Sequence, residues 1–277
     1  MPQEALDTRN AEFWNELCGL YLDPSLGLAD AAPESLARFD RRYLDFYPYL
    51  AGYVHAEDVR GKKVLEIGLG SGTLGQLLAS SGCEYFGLDI APNPVQMMRH
   101  RLALLGQDGE KKVQVGSALE IPHADASFDY VYSVGCLHHT GNLPRCVSEV
   151  YRVLGPRGKA VIMLYNRHSF RQVVAVPLKR VRQLVSDALH GRPRQKMAQF
   201  VRSAYDRNLK GDAAPHTDFV SRREARHLFR RFSSVRIDVR NFDAYAFLKG
   251  RIVIPREKLL DNLGRVMGLD FYIVATK

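Results

Sequence analysis

The chain has 277 residues, of which 46% are hydrophobic and 25% are charged, and its formal net charge is +9. This composition is typical of a globular protein with one large domain and a smaller appendage. The four cysteines form no Cys-x-x-Cys pair and no metal-ligand spacing, so no metal site is predicted. Because no apolar run reaches the ~20 residues of a membrane span and no secretory signal is visible, the sequence predicts a cytoplasmic protein.

Residues 1–59 precede the first predicted core strand and are rich in aromatic side chains. Apolar residues recur here at i, i+3, i+4 and i+7, which predicts one face of a helix that Pro48 bends or ends. These residues are Tyr43, Phe46, Tyr47 and Leu50. Such a helical arm could pack on the sheet or close over a ligand, and the pattern agrees equally well with both.

A glycine-rich turn joins predicted strand 63–67 to predicted helix 73–81. Its alternating glycines allow a sharp bend and let a ligand approach the backbone, while the N–H groups at the helix start point toward that ligand. The three glycines are Gly68, Gly70 and Gly72. With a strand before it and a helix after it, the turn has the context that a nucleotide-type site requires.

Two acidic residues accompany this turn. Asp89 ends the next predicted strand, where a carboxylate can accept both hydroxyls of a ribose. Glu66 precedes the first glycine, and its charge opposes a pyrophosphate but attracts an ammonium or a sulfonium. The order Glu-x-Gly-x-Gly-x-Gly also differs from the Gly-x-Gly-x-x-Gly of dinucleotide sites. The turn is therefore predicted to bind a ribose-containing ligand with a positive charge.

Strands and helices alternate along most of the chain. The predicted strands span 63–67, 85–89, 112–115, 129–134, 159–165, 234–240 and 271–275. The predicted helices span 73–81, 94–105, 143–153, 222–231 and 256–267. Such alternation predicts a parallel sheet covered on both faces, with its ligand beyond the carboxyl ends of the strands.

Four segments, in this order, resemble the class I S-adenosylmethionine-dependent methyltransferases over about residues 60–166. They are the glycine turn, Gly116 to Pro122 after the third strand, Ser127 to His139 around the fourth strand, and Glu149 to Ala160 before the fifth. Within this family, the chain broadly resembles the group that includes the ubiquinone and menaquinone methylases and other small-molecule enzymes. It implies an α/β fold with a Rossmann-like, seven-stranded, mostly parallel sheet whose last strand is antiparallel.

The resemblance also implies S-adenosyl-L-methionine as the cofactor. Glu66 and the three glycines would meet its methionine end, Asp89 its ribose and Ile90 its adenine. Ser117, followed by Ala118, stands where the family normally has an acid that binds the adenine amine. A hydroxyl accepts that bond more weakly than a carboxylate, so this contact is expected to be weaker.

Two histidines follow the fourth strand and are candidates for a catalytic base. Because neighbouring side chains point in different directions, at most one is expected to face the cleft, and we predict that it is His139 rather than His138. A purely structural role for the histidines stays open. Tyr165 and Asn166 end the fifth strand, and they and His216, in a polar loop, are further candidate substrate contacts.

The positive charge is concentrated after the fifth strand. Residues 167–210 hold eleven Lys or Arg and two Asp, a net charge of +9. We expect residues 167–220 to form a mostly helical cap that Pro177 interrupts. Its apolar residues near helical spacing are Phe170, Val174, Val181, Val185 and Leu189. Packing of this stripe on the domain is the default expectation, and an anionic acceptor or a membrane surface is the alternative partner.

The sequence thus predicts an N-terminal arm (1–59), a cofactor-binding core (60–166), a basic cap (167–220) and a C-terminal part of the core (221–277). The expected function is methyl transfer to an O-, N- or C-nucleophile of a small molecule, with an anionic acceptor favoured by the basic segment. The fourth strand lacks the Asn/Asp-Pro-Pro-aromatic element of enzymes that methylate base amines, so nucleic acid is a less favoured substrate. A nucleic-acid methyltransferase and a non-methylating protein on this fold remain alternatives. Peripheral membrane contact also agrees with the sequence, which leaves the oligomeric state open.

Overall fold

The computed structural model describes residues 2–18, 30–190, 193, 196–247 and 251–277. Its strands are β1 (Lys63–Ile67), β2 (Glu84–Asp89), β3 (Val113–Val115), β4 (Phe128–Val134), β5 (Leu154–Tyr165), β6 (Ser234–Arg240), β7 (Tyr245–Phe247), β8 (Ile252–Ile254) and β9 (Asp270–Thr276). Seven of them form one sheet in the order β3-β2-β1-β4-β5-β9-β6, and β7 pairs with β8 as a separate hairpin.

The strands of the large sheet run parallel except for β9, which is antiparallel to both of its neighbours. The predicted fold class, with seven mostly parallel strands and an antiparallel last strand, is therefore confirmed. In this arrangement the carboxyl ends of β1, β2, β4 and β5 lie at one edge of the sheet, where ligands of open α/β sheets bind.

Twelve α-helices are present in the described residues. They are α1 (Gln3–Leu17), α2 (Pro33–Phe46), α3 (Ala51–Val54), α4 (Ala56–Val59), α5 (Thr73–Ser80), α6 (Pro92–Leu104), α7 (Leu143–Val153), α8 (Val176–Leu189), α9 (Met197–Arg202), α10 (Arg222–Leu228), α11 (Glu257–Leu260) and α12 (Leu263–Met267). Among these helices, none has both the length and the apolar composition to cross a membrane.

The core lies on both faces of the sheet because the side chains of each strand alternate between them. In β1, Val64 packs in the cluster formed with α3 to α6, whereas Leu65 and Ile67 pack in the cluster formed with α7 and α10. Both clusters are closed to solvent. Helices on each face therefore hold the sheet fixed beneath the site at its edge.

Three local expectations differ from the structure. The predicted helix 256–267 is two short helices, because Asn262 has a non-helical backbone (φ −111°, ψ −96°) between them. Hairpin β7–β8 was not predicted, since each strand has only three residues and shows too few alternations to be recognised. Helix α10 ends at Leu228 rather than at 231.

The predicted apolar face around residue 43 is wrong at one position. Helix α2 ends at Phe46, just before Pro48. Tyr43 and Tyr47 pack against the core, but Phe46 is 49% exposed and its ring lies 3.8 Å beneath the Arg256 guanidinium. The bend at Pro48 shifts the following residues off the helical period, so Leu50 reaches the core from outside α2.

The segment after β5 is helical only in part. A π-helical turn (Arg171–Ala175) continues into α8, and α9 ends at Arg202, after which residues 203–220 contain no helix. Pro177 does not break a helix but lies in the first turn of α8, where its missing N–H costs little. The expected packing of the apolar stripe on the domain is wrong for Val181, Val185 and Leu189, which are exposed.

Candidate functional site

A cavity of about 420 Å³ opens at the carboxyl edge of the sheet. Its floor is the turn after β1, and its walls come from the ends of β2, β4 and β5. Helices α1 and α2 of the N-terminal arm and the segment after α9 complete its lining. Residues distant in sequence therefore converge on one enclosed space.

The three glycines of the turn after β1 have different surroundings. All have positive φ, the left-handed region that favours glycine: +82° at Gly68, +54° at Gly70 and +82° at Gly72. A Cβ on Gly68 would meet Cys136 at 2.3 Å, whereas a Cβ on Gly70 would meet nothing within 4 Å. Gly70 thus presents its backbone to open space in the cavity that it lines.

Gly72 lies outside the lining of the cavity, although its neighbours Ser71 and Thr73 belong to it, and its role in cofactor binding stays a prediction. A Cβ there would lie 2.6 Å from Cδ of Arg101. The close approach that requires glycine at this position is made by the Arg101 side chain, so the local reason for Gly72 is packing.

Asp89 ends β2 and faces the cavity. Its Oδ2 accepts the Leu69 N–H at 2.7 Å and its Oδ1 accepts the Ala91 N–H at 2.9 Å. Burial raises the pKa of this carboxyl group to about 6, although these backbone donors oppose the rise. The Gly70 and Ile90 N–H groups also favour its ionised form, and a carboxylate has about four acceptor positions, which suits the addition of ribose hydroxyls.

The predicted adenine contacts lie next to Asp89 in the lining. Ile90, Ser117 and Ala118 all border the cavity. The Ser117 hydroxyl accepts the Leu119 N–H at 3.2 Å, so it helps to form the turn after β3. Its hydroxyl proton remains available to a ligand.

Glu66 is a buried acid at the end of β1, and it also borders the cavity. The Tyr85 hydroxyl donates to its Oε2 at 2.5 Å. Burial raises the pKa of Glu66 to about 8, because no cation compensates for the lost hydration strongly enough. A cationic group placed beside it would restore the charged form, which agrees with the predicted role of Glu66.

Stability should fall with rising pH because of Glu66. Its pKa is about 8 in the folded protein and near 4.5 in an unfolded one, so its stabilising contribution is complete below pH 4.5 and lost as pH rises to 8. One extra bound proton in the folded state corresponds to about 1.4 kcal/mol per pH unit. The free energy of unfolding of the ligand-free protein can be measured with urea between pH 5 and 8. It should fall less steeply with pH in Glu66→Gln than in wild type, by about 1.4 kcal/mol per pH unit, the equivalent of one proton. The same slope in Glu66→Gln and wild type would contradict the assignment, and the exposed Glu110→Gln variant controls for loss of negative charge.

At the opposite end of the cavity, the His139 ring has two distinct nitrogens. Nδ1 lies 2.8 Å from the His216 carbonyl oxygen, so it carries the proton and donates it. Nε2 has no hydrogen-bond partner among the described residues and lies 3.7 Å from Asp206 Oδ2. Burial lowers the pKa of His139 below its usual value, although Asp206 opposes the shift. A neutral ring with a free Nε2 lone pair is therefore held beside a carboxyl group.

Tyr165 joins this polar group from the end of β5. Its hydroxyl donates to the Asp206 carboxyl group at 3.2 Å, and its ring lies 4.7 Å from that of Tyr205. Burial raises the pKa of Tyr165 well above its usual value, so the hydroxyl keeps its proton. His139, Tyr165 and Asp206 form what we call the polar end of the cavity.

Three predicted substrate contacts lie outside the cavity lining. His138 is fully buried, with its ring 4.1 Å from that of Tyr165. The Asn166 amide donates to the Gly268 carbonyl at 2.8 Å, which holds the strand end in place. The His216 side chain pairs with Asp218 at 3.0 Å, and only its main-chain carbonyl reaches His139.

Several lining residues were not predicted. Trp14 of α1 packs its ring 4.7 Å from that of His139, and the buried Asn10 amide donates to the His139 carbonyl at 2.9 Å. Asp206 gives no signal in the sequence, because a single acid within a basic segment has no spacing that marks a site. The aromatic composition of residues 1–59 was a signal that the arm reaches the site, but it could not show where.

One buried ion pair connects the arm to the glycine turn. Arg101 of α6 is 1% exposed and donates to both carboxyl oxygens of Asp40 in α2, at 2.8 and 3.0 Å. Its Nε donates to the Ser71 carbonyl at 2.8 Å. The Thr73 hydroxyl also donates to Asp40, at 2.6 Å. The position of α2 over the cavity is thereby linked to the conformation of the turn.

Replacing Arg101 by leucine should therefore destabilise the protein by about 3–5 kcal/mol, since Asp40 would keep a largely buried charge without its partner. Urea unfolding monitored by circular dichroism measures the change. The exposed pair between Arg265 of α12 and Asp261, the residue after α11, is the matched control, and Arg265→Leu should cost less than about 1 kcal/mol. Equal effects of both substitutions would contradict the structural role of Arg101.

The part of the chain that forms most of this cavity is similar to known proteins. Residues 65–162 match the family model described as a methyltransferase domain. This stretch begins in β1 and ends within β5, so it contains the glycine turn, Asp89, Ser117 and His139.

Related curated proteins carry methyltransferase names. The chain is 30% identical to tocopherol O-methyltransferase of Arabidopsis thaliana over 179 residues, 58% of this chain and 50% of that protein. It is 30% identical to demethylmenaquinone methyltransferase of Tropheryma whipplei over 106 residues, 38% of this chain and 43% of that protein. The chain thus spans half or less of the length of these two relatives.

Solved structures agree on the fold. A SAM-dependent methyltransferase from Methanosarcina mazei superposes with a TM-score of 0.52 at 20% identity, covering 83% of this chain and 97% of that one. A SAM-dependent methyltransferase from Archaeoglobus fulgidus gives 0.51 at 17% identity, covering 85% and 94%. At this identity the similarity concerns the architecture alone.

Proposed function

We propose that this chain, whose residues 65–162 match a methyltransferase domain, is a class I S-adenosylmethionine-dependent methyltransferase, and that it transfers a methyl group to an oxygen or nitrogen of a small molecule. The observation that carries the proposal is a single cavity with Asp89 and the glycine turn at one end and a histidine with a free Nε2 at the other. Together these ends fit a cofactor and a proton-bearing acceptor.

The residues present suit S-adenosylmethionine. Gly70 leaves open space where a ligand could approach the main chain, and the Asp89 carboxylate can accept hydrogen bonds from ribose hydroxyls. Glu66 is a buried acid without a cationic partner of sufficient strength, and an ammonium or sulfonium would stabilise its carboxylate. Ile90, Ser117 and Ala118 would hold the adenine. When bound, the cofactor supplies an activated methyl group on a sulfonium.

The polar end of the cavity can remove the acceptor's proton. His139 Nε2 is buried and has no hydrogen-bond partner among the described residues, so it would take the proton from an acceptor that reaches it, while the hydrogen bond from Nδ1 to the His216 carbonyl fixes the ring. Asp206, 3.7 Å away, would stabilise the imidazolium that results. Tyr165 donates to Asp206 and thereby fixes the carboxyl group. A base positioned in this way typically contributes 10²–10⁴-fold to the rate.

The lining also bears on the choice of acceptor. In the described part of the chain its acidic residues are Asp7, Glu66, Asp89 and Asp206, and it contains no Lys or Arg. The anionic acceptor that the basic segment suggested therefore lacks a cationic partner inside the cavity. We propose a neutral hydroxyl compound or an amine, with its apolar part against Trp14, Met163 and Tyr272.

Methyl transfer can be tested with methyl-labelled S-adenosylmethionine and a panel of phenols, aliphatic alcohols, amines and their carboxylated analogues. We expect the wild-type protein to transfer label to neutral hydroxyl compounds or amines, and more slowly to the carboxylated analogue of each. The His139→Asn variant should transfer no detectable label to any of them. Binding of S-adenosylmethionine without transfer to any member would favour the non-methylating alternative. Faster transfer to the carboxylated analogues would contradict the proposed acceptor class.

Nucleic acid remains the second candidate substrate, because the segment 167–210 is strongly basic. Its signature would be RNA binding that weakens steeply with salt. We further propose the division into arm, core, cap and C-terminal part of the core stated above. The cytoplasmic location stays a prediction.

A further inference from the structure

Helix α8 is oriented with its apolar side outward. The buried residues of this helix are Val176 and Asp187, separated by about three helical turns on one side. The opposite side carries four large aliphatic residues at i, i+3, i+7 and i+11. They are Leu178 (58% exposed), Val181 (60%), Val185 (56%) and Leu189 (77%). We call these four residues the α8 stripe.

The orientation of α8 is fixed from its inner side. Gln183 donates to the buried Asp187 carboxyl group at 2.7 Å, and the Arg180 guanidinium lies 5.1 Å from the Phe200 ring of α9. The π-helical turn before α8 is held by Arg171, which pairs with Asp243 and stacks 4.6 Å over Tyr205. The Gln183–Asp187 bond lies within α8 and turns with it, so rotation of the α8 stripe into the core would break only the contacts that Arg180 and Arg171 make with other elements.

The charges beside the α8 stripe are all positive. Lys179 and Arg182 are exposed and lie along one side of the stripe, while the single acid of the helix, Asp187, is buried on the opposite face. Beyond α8, Lys196 and Met197 are also exposed. An aliphatic stripe bordered by cations is the pattern of a helix that lies in the interface of an anionic membrane.

We propose that α8 docks the protein on an anionic lipid bilayer, with the α8 stripe between the acyl chains and Lys179 and Arg182 at the phosphates. A second copy of the chain would bring two basic faces together, and like charges repel. RNA would account for the cations but not for the stripe, since single-stranded RNA is bound by stacking on aromatic rings. The bilayer accounts for both features.

Vesicle co-sedimentation tests this proposal in the full chain, and it does not depend on methyl transfer. Wild-type protein should bind phosphatidylcholine vesicles that contain phosphatidylglycerol about tenfold or more tightly than vesicles of pure phosphatidylcholine. Binding to the anionic vesicles should weaken in 0.5 M NaCl, because salt screens the attraction between the phosphates and the cations of α8. The double variants Val181→Ser/Val185→Ser and Lys179→Glu/Arg182→Glu should each reduce the affinity at least tenfold.

Matched controls separate α8 from general surface effects. Val266→Ser replaces an aliphatic residue of α12 that is 72% exposed, and Arg223→Glu/Arg226→Glu reverses two exposed charges of α10. Both controls should bind vesicles within twofold of wild type. Circular dichroism and calorimetric binding of S-adenosylmethionine, carried out on every variant, distinguish loss of docking from loss of the fold or of the cofactor site.

Three outcomes would overturn the proposal. One is the absence of wild-type binding to the anionic vesicles, and another is equal binding by the α8 variants and wild type. The third is a protein that does not bind vesicles but forms a dimer or an RNA complex that the α8 substitutions abolish. A failure of S-adenosylmethionine binding alone would contradict the proposed function and leave the docking result intact.

Discussion

Replacing Gly70 by valine is expected to weaken S-adenosylmethionine binding about 100-fold or more, the equivalent of about 2.7 kcal/mol. The reason is steric, because a Cβ at Gly70 would point into the open space of the cavity that the ligand would fill. Calorimetric titration with S-adenosylmethionine and S-adenosylhomocysteine measures the change.

Gly106 provides a matched control, because it also has positive φ (+70°) and a Cβ there would meet nothing within 4 Å. It lies just beyond α6 and outside the cavity lining. Gly106→Val carries a similar backbone strain, so it should lower stability comparably while the dissociation constant changes less than threefold. Equal affinity in Gly70→Val and wild type would show that the ligand does not approach this turn.

Replacing His139 by asparagine should lower kcat about 10²–10⁴-fold and leave the affinity for S-adenosylmethionine within threefold of wild type. An asparagine amide can still donate to the His216 carbonyl in place of Nδ1, but it offers no group at the position of Nε2. The variant therefore removes the proton acceptor and retains the local hydrogen bond. Steady-state kinetics with the acceptor that the labelled-methyl assay identifies measures the effect.

His216→Asn is the corresponding control, since the His216 side chain lies outside the cavity and only its carbonyl contacts His139. It should keep kcat within threefold of wild type. If His139→Asn retained full kcat, proton removal by this residue would be excluded, and a role in orienting the acceptor would require a raised KM instead.

The convergence of Glu66, Gly70 and Asp89 on one end of the cavity was predictable because the determinants of this geometry are local. The glycine turn, Glu66 and Asp89 lie within 24 residues, and a strand–turn–helix–strand order places them together. Gly72 shows the limit of this reasoning, because its neighbour Arg101 comes from another helix. A positive φ can serve either a ligand or a side chain, and the sequence does not distinguish between them.

The polar end of the cavity was less predictable from the sequence, because it depends on contacts between residues that are far apart in the chain. Asn10 contacts His139 across 129 residues, and Asp206 contacts Tyr165 across 41. The orientation of α8 was likewise not predictable, since an apolar stripe has the same spacing whether it faces the core or the solvent. Buried partners on other elements decide between these orientations.

The central claim is that this cavity binds S-adenosylmethionine, and calorimetric titration of the wild-type chain tests it most directly. We predict saturable binding of one S-adenosylmethionine per chain, competition by S-adenosylhomocysteine, and loss of both in Gly70→Val but not in Gly106→Val. A correctly folded wild-type protein that binds neither compound would contradict the account.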